Sequence, residues 1–425
     1  MYPILLLYRG IPLYGVLLSC VLWSASALAQ SEPLTRAEAI DRALAHNPQI
    51  KAANQVWQGA RARARQAGAL SDPELAFEFE ALPGIGDVSD YGERNIGVVQ
   101  RLESPLKWWH RRKAGRQHAQ ATRLSAFETT RLEVTLHVNV AYDRMVLQQT
   151  IFERSRKSLD VAQDILGKAR IRFEAGDVPQ LEVMRAEVEA GRATNRVTVA
   201  KNGLSAAQAG LNVLLARSLN TPISITDRLV FEPLQADLDQ LKAMAVKQRP
   251  DLSGAQLRTT ALRTQQAAAT AAYLPDLNVG VFRQRLRSAT SEDDFWRLSF
   301  GLEVPLWALS RQRAEKAEVK AEAAQADAER EVLHNQILLE TEGAYLDVTT
   351  AQEQVVLFKQ RILPEAKRAF EIASSSYDEG KATYLELLEA QRTLTETQVE
   401  YAQALFDYRV AMAQLERAIA GPLPR

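Results

Sequence analysis

The sequence predicts a mainly α-helical chain with a small β part, built as a duplicated strand–strand–long helix–helix unit. Three observations lead there. Motifs of the first half return in order in the second half. Short segments of strict apolar/polar alternation come in pairs, the period of a half-buried strand. Each pair is followed by a long helical stretch whose apolar residues recur in alternating steps of three and four, the seven-residue period of a coiled coil.

The duplication rests on four anchors. Asn47-Pro48 returns as Arg249-Pro250, and Asp72-Pro73-Glu74-Leu75 as Leu274-Pro275-Asp276-Leu277, each 202 residues on. Ser104-Pro105-Leu106-Lys107-Trp108 returns as Val304-Pro305-Leu306-Trp307, 200 residues on. Phe173-Glu174-Ala175-Gly176 and Leu181-Glu182-Val183 return as Tyr377-Asp378-Glu379-Gly380 and Leu385-Glu386-Leu387, 204 residues on. A unit that cannot bury its apolar face alone is stabilised by stacking on its copy. The expected division is residues 1–29, a first repeat over 30–237 and a second over 238–425.

Residues 1–29 read as an export signal. Arg9 is the only charge before Glu32, an apolar run spans Ile11 to Trp23, and Ala27-Leu28-Ala29 forms a small-residue cleavage site. The mature chain is expected to start at Gln30. The single cysteine, Cys20, lies inside this signal with the apolar run continuing beyond it, which argues against lipid attachment there. A mature chain without cysteine has no disulfide and no thiolate metal site. The formal net charge of +0 gives no electrostatic footprint for nucleic acid.

Strands are expected at about 74–82 and 94–104, and again at 275–287 and 295–304. Leu75, Phe77, Phe79 and Ala81 share one face; Glu74, Glu78 and Glu80 share the other. Ile96, Val98 and Leu102 oppose Asn95, Gly97, Arg101 and Glu103, and Trp296, Leu298, Phe300, Leu302 and Val304 oppose Arg297, Ser299, Gly301 and Glu303. Residues 83–90 and 288–294 read as Gly/Ser/Asp-rich connections. A face carrying so many charges is not part of a dry core unless each is paired. Apolar side chains turned to lipid and polar ones turned to water give the pattern of an outer-membrane barrel.

Helices are expected over 35–67, 108–173 and 180–215, then over 238–272, 308–375 and 384–420. Residues 108–173 contain no proline and only Gly115 and Gly167, and at ~1.5 Å per residue they make a rod of about 100 Å. Its seam runs Val134, Val138, Ala141, Met145 and onward to Ala169 and Phe173. The matching seam runs Ile337, Thr341, Ala344, Val348, Ala351, Val355 and on to Ile362. A stripe of Ala317, Ala321, Ala324 and Ala328 is expected to let helices approach closely. Gly176 and Gly380 end the rods before the returning helices.

Four membrane-type strands leave two open edges, and unpaired backbone groups cost several kcal/mol each in hydrocarbon. The barrel is therefore expected to be shared among copies: two give eight strands and three give twelve, and strand pairing alone does not choose between them. At this point the chain resembles the TolC-type outer-membrane efflux channels over essentially all of its mature length. The paired segments around Gly176 and Gly380, with Leu388-Glu389-Ala390-Gln391 after the second, carry the resemblance. Leu34-Thr35-Arg36-Ala37-Glu38-Ala39-Ile40 and Asn47-Pro48 add to it. The run Gly68-Ala69-Leu70-Ser71-Asp72-Pro73 looks most similar to the heavy-metal (cobalt–zinc–cadmium) exporter branch.

The resemblance implies a homotrimer in the outer membrane of a Gram-negative bacterium. Its twelve-stranded transmembrane barrel would continue into a coiled-coil α-helical tunnel in the periplasm. It implies a periplasmic adaptor and an inner-membrane pump of resistance-nodulation-division type as partners, and heavy-metal cations as cargo. Multidrug or type I secretion ducts have the same build. Carboxylates matching Glu386 and Glu389 line the periplasmic aperture of relatives; Glu182 takes the matching place in the first repeat, with Arg185 one turn on. A charge contact between Arg185 and Glu386 is expected to hold the aperture shut. The turns Ala175-Gly176-Asp177 and Glu379-Gly380-Lys381 are expected to meet the adaptor, although Ala175 and Glu379 depart from the commoner pattern.

No catalytic motif is present, so neither an enzyme nor a cofactor is expected. Of the five histidines, His110 and His118 lie two turns apart, ~12 Å along a helix axis, too far for one metal. A periplasmic coiled-coil adaptor without a pore is the rival class. Such adaptors carry one hairpin and compact β domains, whereas this chain has four amphipathic strands and a full duplication.

Overall fold

The computed structural model describes residues 33–424 apart from 83, 85–87, 289 and 307–309. The expected signal with Cys20, the anchor residue Trp307 and parts of both strand connections lie outside the described residues. The elements follow the same order in both halves. The first half holds α1 (Arg36–His46), α2 (Pro48–Gln66), β1 (Glu74–Glu80), β2 (Glu93–Leu102), α3 (Pro105–Thr122), α4 (Thr129–Glu174) and α5 (Gln180–Leu214). The second holds α6 (Leu238–Gln248), α7 (Pro250–Ala271), β3 (Asp276–Arg287), β4 (Glu292–Glu303), α8 (Arg311–Leu357), α9 (Leu363–Asp378) and α10 (Tyr384–Ile419). β4 begins three residues earlier than the sequence suggests, because Asp294 ion-pairs with Arg283 and Arg285 across the hairpin and carries the ladder upward.

The sheet order is β1-β2-β3-β4, all antiparallel. Its register makes the two faces explicit, since directly opposed residues share a face. One face carries the rows Leu75–Val98–Val281–Leu298 and Leu102–Leu277–Leu302. Most of this face has no cover: Leu75 is 67%, Leu298 65% and Phe300 71% exposed, while Leu102 and Leu277 are half-buried. Toward the hairpin ends this face turns polar, with Arg283 beside Ile96 and Trp296, and Arg94, Arg285 and Asp294 in the next row. These rows depart from the expectation that this face carries apolar side chains toward lipid.

On the opposite face Phe282 lies flat against Gly97 and Gly280, where a Cβ would fall 2.4 and 2.6 Å from its ring. Arg297 stacks 4.7 Å from that ring and donates to Glu78 at 2.9 Å. At the base of the sheet, buried Asp276 accepts from the Ser104 backbone N–H at 3.0 Å, from Arg101 at 2.9 Å and from Lys107 at 3.3 Å. One carboxylate thus fastens β3 to β2 and to the first turn of α3.

From Pro105 to Glu174 the backbone is helical throughout, α3 and α4 being joined by a π-type segment, Arg123–Glu128. At ~1.5 Å per residue this rod is about 105 Å long. The second rod widens into a π-type segment at Phe358–Ile362. Pro364 follows directly; it lacks the N–H that would continue the ladder. The second seam is buried as read, Ile337, Thr341, Ala344, Val348, Ala351 and Val355 all being enclosed. Along the first, Val134, Val138, Met145, Ala162 and Ala169 are buried, while Phe173 at the tip is 42% exposed.

Within the chain the alanine stripe Ala317, Ala321, Ala324 and Ala328 is exposed, and the neighbouring line Val319, Ala323 and Ala326 is the buried one. Asn47 caps α2 through Oδ1, which accepts the Gln49 N–H at 2.8 Å. Arg249 does not cap α7; its guanidinium grips Asp251 at 2.6 Å and Glu340 at 2.5 Å. Arg417 on α10 ion-pairs with Glu133 on α4 and Glu340 on α8. Among the described residues no helix is long and apolar enough to cross a membrane.

The Asp276 joint yields a test. Asp276→Ala leaves Arg101 and Lys107 facing each other without their shared carboxylate and strips the Ser104 N–H of its acceptor, a loss of about 1–3 kcal/mol. The temperature at which the folded form gives way on electrophoresis is expected to fall, while a control at exposed Glu74 leaves it unchanged.

Candidate functional site

The far ends of the rods bring together the residues the sequence singles out. At the first turn Gly176 takes φ +83 and the Asp177 N–H donates to the Arg172 carbonyl at 2.9 Å, closing α4. At the second, Gly380 takes φ +75 and the Lys381 N–H donates to the Ser376 carbonyl at 2.8 Å. Both glycines occupy the left-handed region that stops a helix without a Cβ penalty. Lys381 ion-pairs with Glu379 at 2.7 Å. Asp378 reaches Lys168 of α4 at 3.0 Å, tying the second turn to the first rod.

The carboxylates of the tip have separate environments. Glu386 closes a capping box: Glu386 Oε2 accepts the Thr383 N–H at 2.7 Å and its hydroxyl at 2.9 Å. These two bonds hold its carboxyl below the usual range. Glu389 is exposed one turn further on. Glu182 is occupied: the Tyr377 hydroxyl of α9 donates to its Oε1 at 2.7 Å. Tyr377 is 2% exposed, lies under Arg172 at 4.9 Å and meets the edge of Tyr384 at 6.5 Å. Burial and then the Glu182 carboxylate push its hydroxyl pKa up to about 12.

Within the chain the expected Arg185–Glu386 contact is not made. Among the described residues no ion pair joins them; Glu386 is bound to its own helix cap, and exposed Arg185 exerts its charge on Tyr384.

Three turns above the tip is a cluster that sequence reasoning missed. Glu189 of α5, with a side chain 4% exposed, accepts from Arg392 of α10 at 2.5 Å and from Arg196 at 2.9 Å, with Arg192 at 3.9 Å. Burial alone raises such a carboxyl, but Arg392 and Arg196 outweigh it and hold Glu189 below the usual range. Sequence gave one usable signal nearby: Tyr377 replaces Phe173 of the first repeat, adding a single hydroxyl. Glu189 has no such signal, its place in the second repeat being taken by Thr393.

The arrangement is mechanical and electrostatic. Two links, Tyr377–Glu182 and Arg392–Glu189, cross between the second half's helices and α5. Exposed carboxylate and apolar groups, among them Glu389, Leu181 and Met184, stand at the same level. His118 lies beside Arg63 and Arg258, whose charges add to burial in lowering its pKa. No group of three or more metal-ligating side chains occurs among the described residues.

Both links have a pH window. A depressed carboxyl such as Glu189 contributes stability that is full above its ordinary pKa of about 4.3 and is lost as pH falls through its lower folded value. A raised phenol such as Tyr377 contributes stability that is full below about 10 and is lost as pH rises through its folded value. The tip is therefore expected to keep one geometry from about pH 5 to 9 and to loosen in acid. Spin labels on exposed positions of α5 and α10 report this as a distance distribution that broadens as the pH is lowered below the ordinary carboxyl range, and Glu189→Gln reproduces the broadening at pH 7. An unchanged distribution in both experiments contradicts the assignment.

A family model described as outer membrane efflux protein matches residues 39–217 and 241–421. The chain is 25% identical over 402 residues to the cobalt-zinc-cadmium resistance protein CzcC of Cupriavidus metallidurans, covering 91% of this chain and 90% of that one. It is 24% identical over 425 residues to the pyoverdine export outer membrane protein OpmQ of Pseudomonas aeruginosa, covering 90% and 84%. Among solved structures, the outer membrane protein VceC of Vibrio cholerae has a TM-score of 0.73 at 19% identity, over 92% of this chain and 97% of that one.

Proposed function

The chain belongs to the outer membrane efflux protein family, and from that premise we propose that it is the exit duct of a tripartite efflux system, closed by three copies and passing heavy-metal cations. It is an outer-membrane efflux channel and not an enzyme. The observation that carries the shared-wall reading is the sheet. Its outward rows near the helical end are apolar and largely exposed, and its edges β1 and β4 lack strand partners among the described residues. Open edges do not persist in hydrocarbon, so the wall is completed by further copies. Three copies give the twelve strands of the TolC-type resemblance, with residues 30–237 and 238–425 as the two repeats of each copy.

The gate lies at the tip. Glu386 and Glu389, repeated in each copy, ring the aperture together with Glu182, and a ring of carboxylates raises the local cation concentration. Tyr377–Glu182 holds α9 against α5 in the closed state, and Arg185 adds a positive charge at the same level. The turns Ala175-Gly176-Asp177 and Glu379-Gly380-Lys381 offer the surface for a periplasmic adaptor, which hands cargo from an inner-membrane pump of resistance-nodulation-division type.

Metal cargo is favoured by the likeness to a cobalt-zinc-cadmium resistance protein together with the acidic aperture. A conduit needs weak sites so that cargo leaves, and an aperture of spaced carboxylates fits that need. The second reading, a duct for siderophores or other organic cargo, is favoured by the likeness to the pyoverdine exporter.

Two measurements test these readings. Deleting the gene is expected to lower resistance to cobalt, zinc or cadmium at least several-fold; sensitisation to organic compounds alone selects the second reading. The double variant Glu386→Gln, Glu389→Gln is expected to reduce the cation preference of single channels in planar bilayers. A preference equal to the parent's removes the aperture ring.

A further inference from the structure

The chain contains its own template for the seam between copies. Three junctions join the halves internally: β2 with β3, α3 with α7, and α4 with α10. The duplication turns each into a counterpart that one chain cannot make: β4 with β1, α8 with α2, and the second rod with α5. At each counterpart the structure shows an uncovered surface. β4 and β1 are the sheet edges. The stripe Ala317, Ala321, Ala324 and Ala328 on α8 is exposed, as is Ala52 on α2. Ala52 is the repeat mate of Gly254, whose close approach to Ala121 and Ser125 lets α7 lie against the first rod. Met184 on α5 is 56% exposed, whereas its mate Leu388 is 7% exposed and packs in the cluster holding Ile165 and Ala169 of α4. Three levels of the molecule thus ask for the same occupant, a second copy of this chain.

We infer that β4 of one copy pairs antiparallel with β1 of the next in one defined register, with Leu302 opposite Leu75, Phe300 opposite Phe77 and Leu298 opposite Phe79. This inference rests on the shared-wall reading and adds the register to it. It follows from transferring the observed β2–β3 pairing, in which Leu102 faces Leu277 and Val98 faces Val281, through the repeat offsets of the Pro73/Pro275 and Pro105/Pro305 anchors.

Two independent checks support it. The first is the row pattern. The outward row Leu75–Val98–Val281–Leu298 runs on into Phe79 of the next copy, and Leu102–Leu277–Leu302 runs on into Leu75, so the lipid-facing rows remain apolar across the seam. On the inner face Arg297 meets Glu80 of the next copy. Glu303 meets Glu74, a like pair offset by Arg101, which lies 3.1 Å from Glu303.

The second check is strand tilt. Stepping straight across from Leu75 to Phe79 of the next copy is a stagger of four residues over four strands. At ~3.3 Å per residue and ~4.8 Å per strand this is a tilt of about 35°, at the lower end of the 35–45° range of closed barrels. The tilt does not depend on how many copies close the wall, because stagger and circumference grow together. A register two residues lower gives about 19°, two higher about 46° and four higher about 54°. The tilt thus disfavours the first and the last and leaves the inferred register and the one two residues higher at the two ends of the range, so the distinction between those is experimental.

The test uses paired cysteines on the water-facing side in the full chain, oxidised in outer membranes. Ser299→Cys with Glu78→Cys places two thiols directly opposite across the seam. Ser299→Cys with Glu80→Cys and Ser299→Cys with Ala76→Cys are the registers slipped by two residues either way. Single-cysteine variants control for Cys20, the chain's only native cysteine. The first pair is expected to give a covalent ladder of oligomers with at least ten times the yield of either slipped pair. An oligomer in which a slipped pair dominates, or in which no pair cross-links, overturns the register and leaves the shared wall standing. A chain that is monomeric by native mass spectrometry in detergent overturns both.

Discussion

The pairing of β2 with β3 is the contact on which the rest of the structure depends. These strands belong to different halves, and their ten opposed residue pairs join segments far apart in the chain. Once they are zipped, α3 and α7 descend side by side, and α4 and α10 meet below them. Arg417 then reaches both Glu133 and Glu340. Asp276 sits where this pairing begins and converts the direction of the sheet into that of the rod. A chain with an unpaired β2–β3 junction has two hairpins, each marginal alone, and no reason for the long helices to lie parallel.

What the sequence discloses depends on whether a local period survives in the fold. The strand faces were legible because alternation by two is a backbone property and one face stays uncovered. The polar rows at the hairpin ends were less legible, because Arg94, Arg283 and Arg285 sit in apolar-phase positions and matter only once opposed to Asp294. Which alanines pack within the chain was hard to read for a different reason. Over residues 311–330 alanines occupy several helical lines, so composition does not select the line that faces α7; Val319 does. Pro364 could have announced the widened turn at Phe358–Ile362, since a proline inside a helical pattern must disturb the ladder.

At the tip, position was legible and role was not. Gly176 and Gly380 declare the turns, and their spacing to Glu182 and Glu386 places both carboxylates in the first helical turn. Thr383 three residues before Glu386 is itself a capping-box pattern, so one of the two carboxylates is spoken for by local geometry. The partner of Glu182 lies 195 residues away, beyond any local pattern. Glu189 is harder still, since its three arginines come from two helices and its burial exists only after α5 packs.

The two cross-links differ in setting, and the setting bears on what each loss does. Tyr377–Glu182 joins the hydroxyl of a buried ring to a half-buried carboxylate beside the turns, and a hydroxyl donating to a carboxylate contributes about 1.5–3 kcal/mol. Glu189 is buried, but the side chains of Arg392 and Arg196 are 36% and 40% exposed, so water screens the attraction and the full penalty of a buried ion pair does not apply. The carboxylate draws its donors from two helices, and it keeps Arg196 of its own helix if Arg392 is removed. Loss of Arg392 therefore frees α10 from α5 at this level while Glu189 stays neutralised within α5.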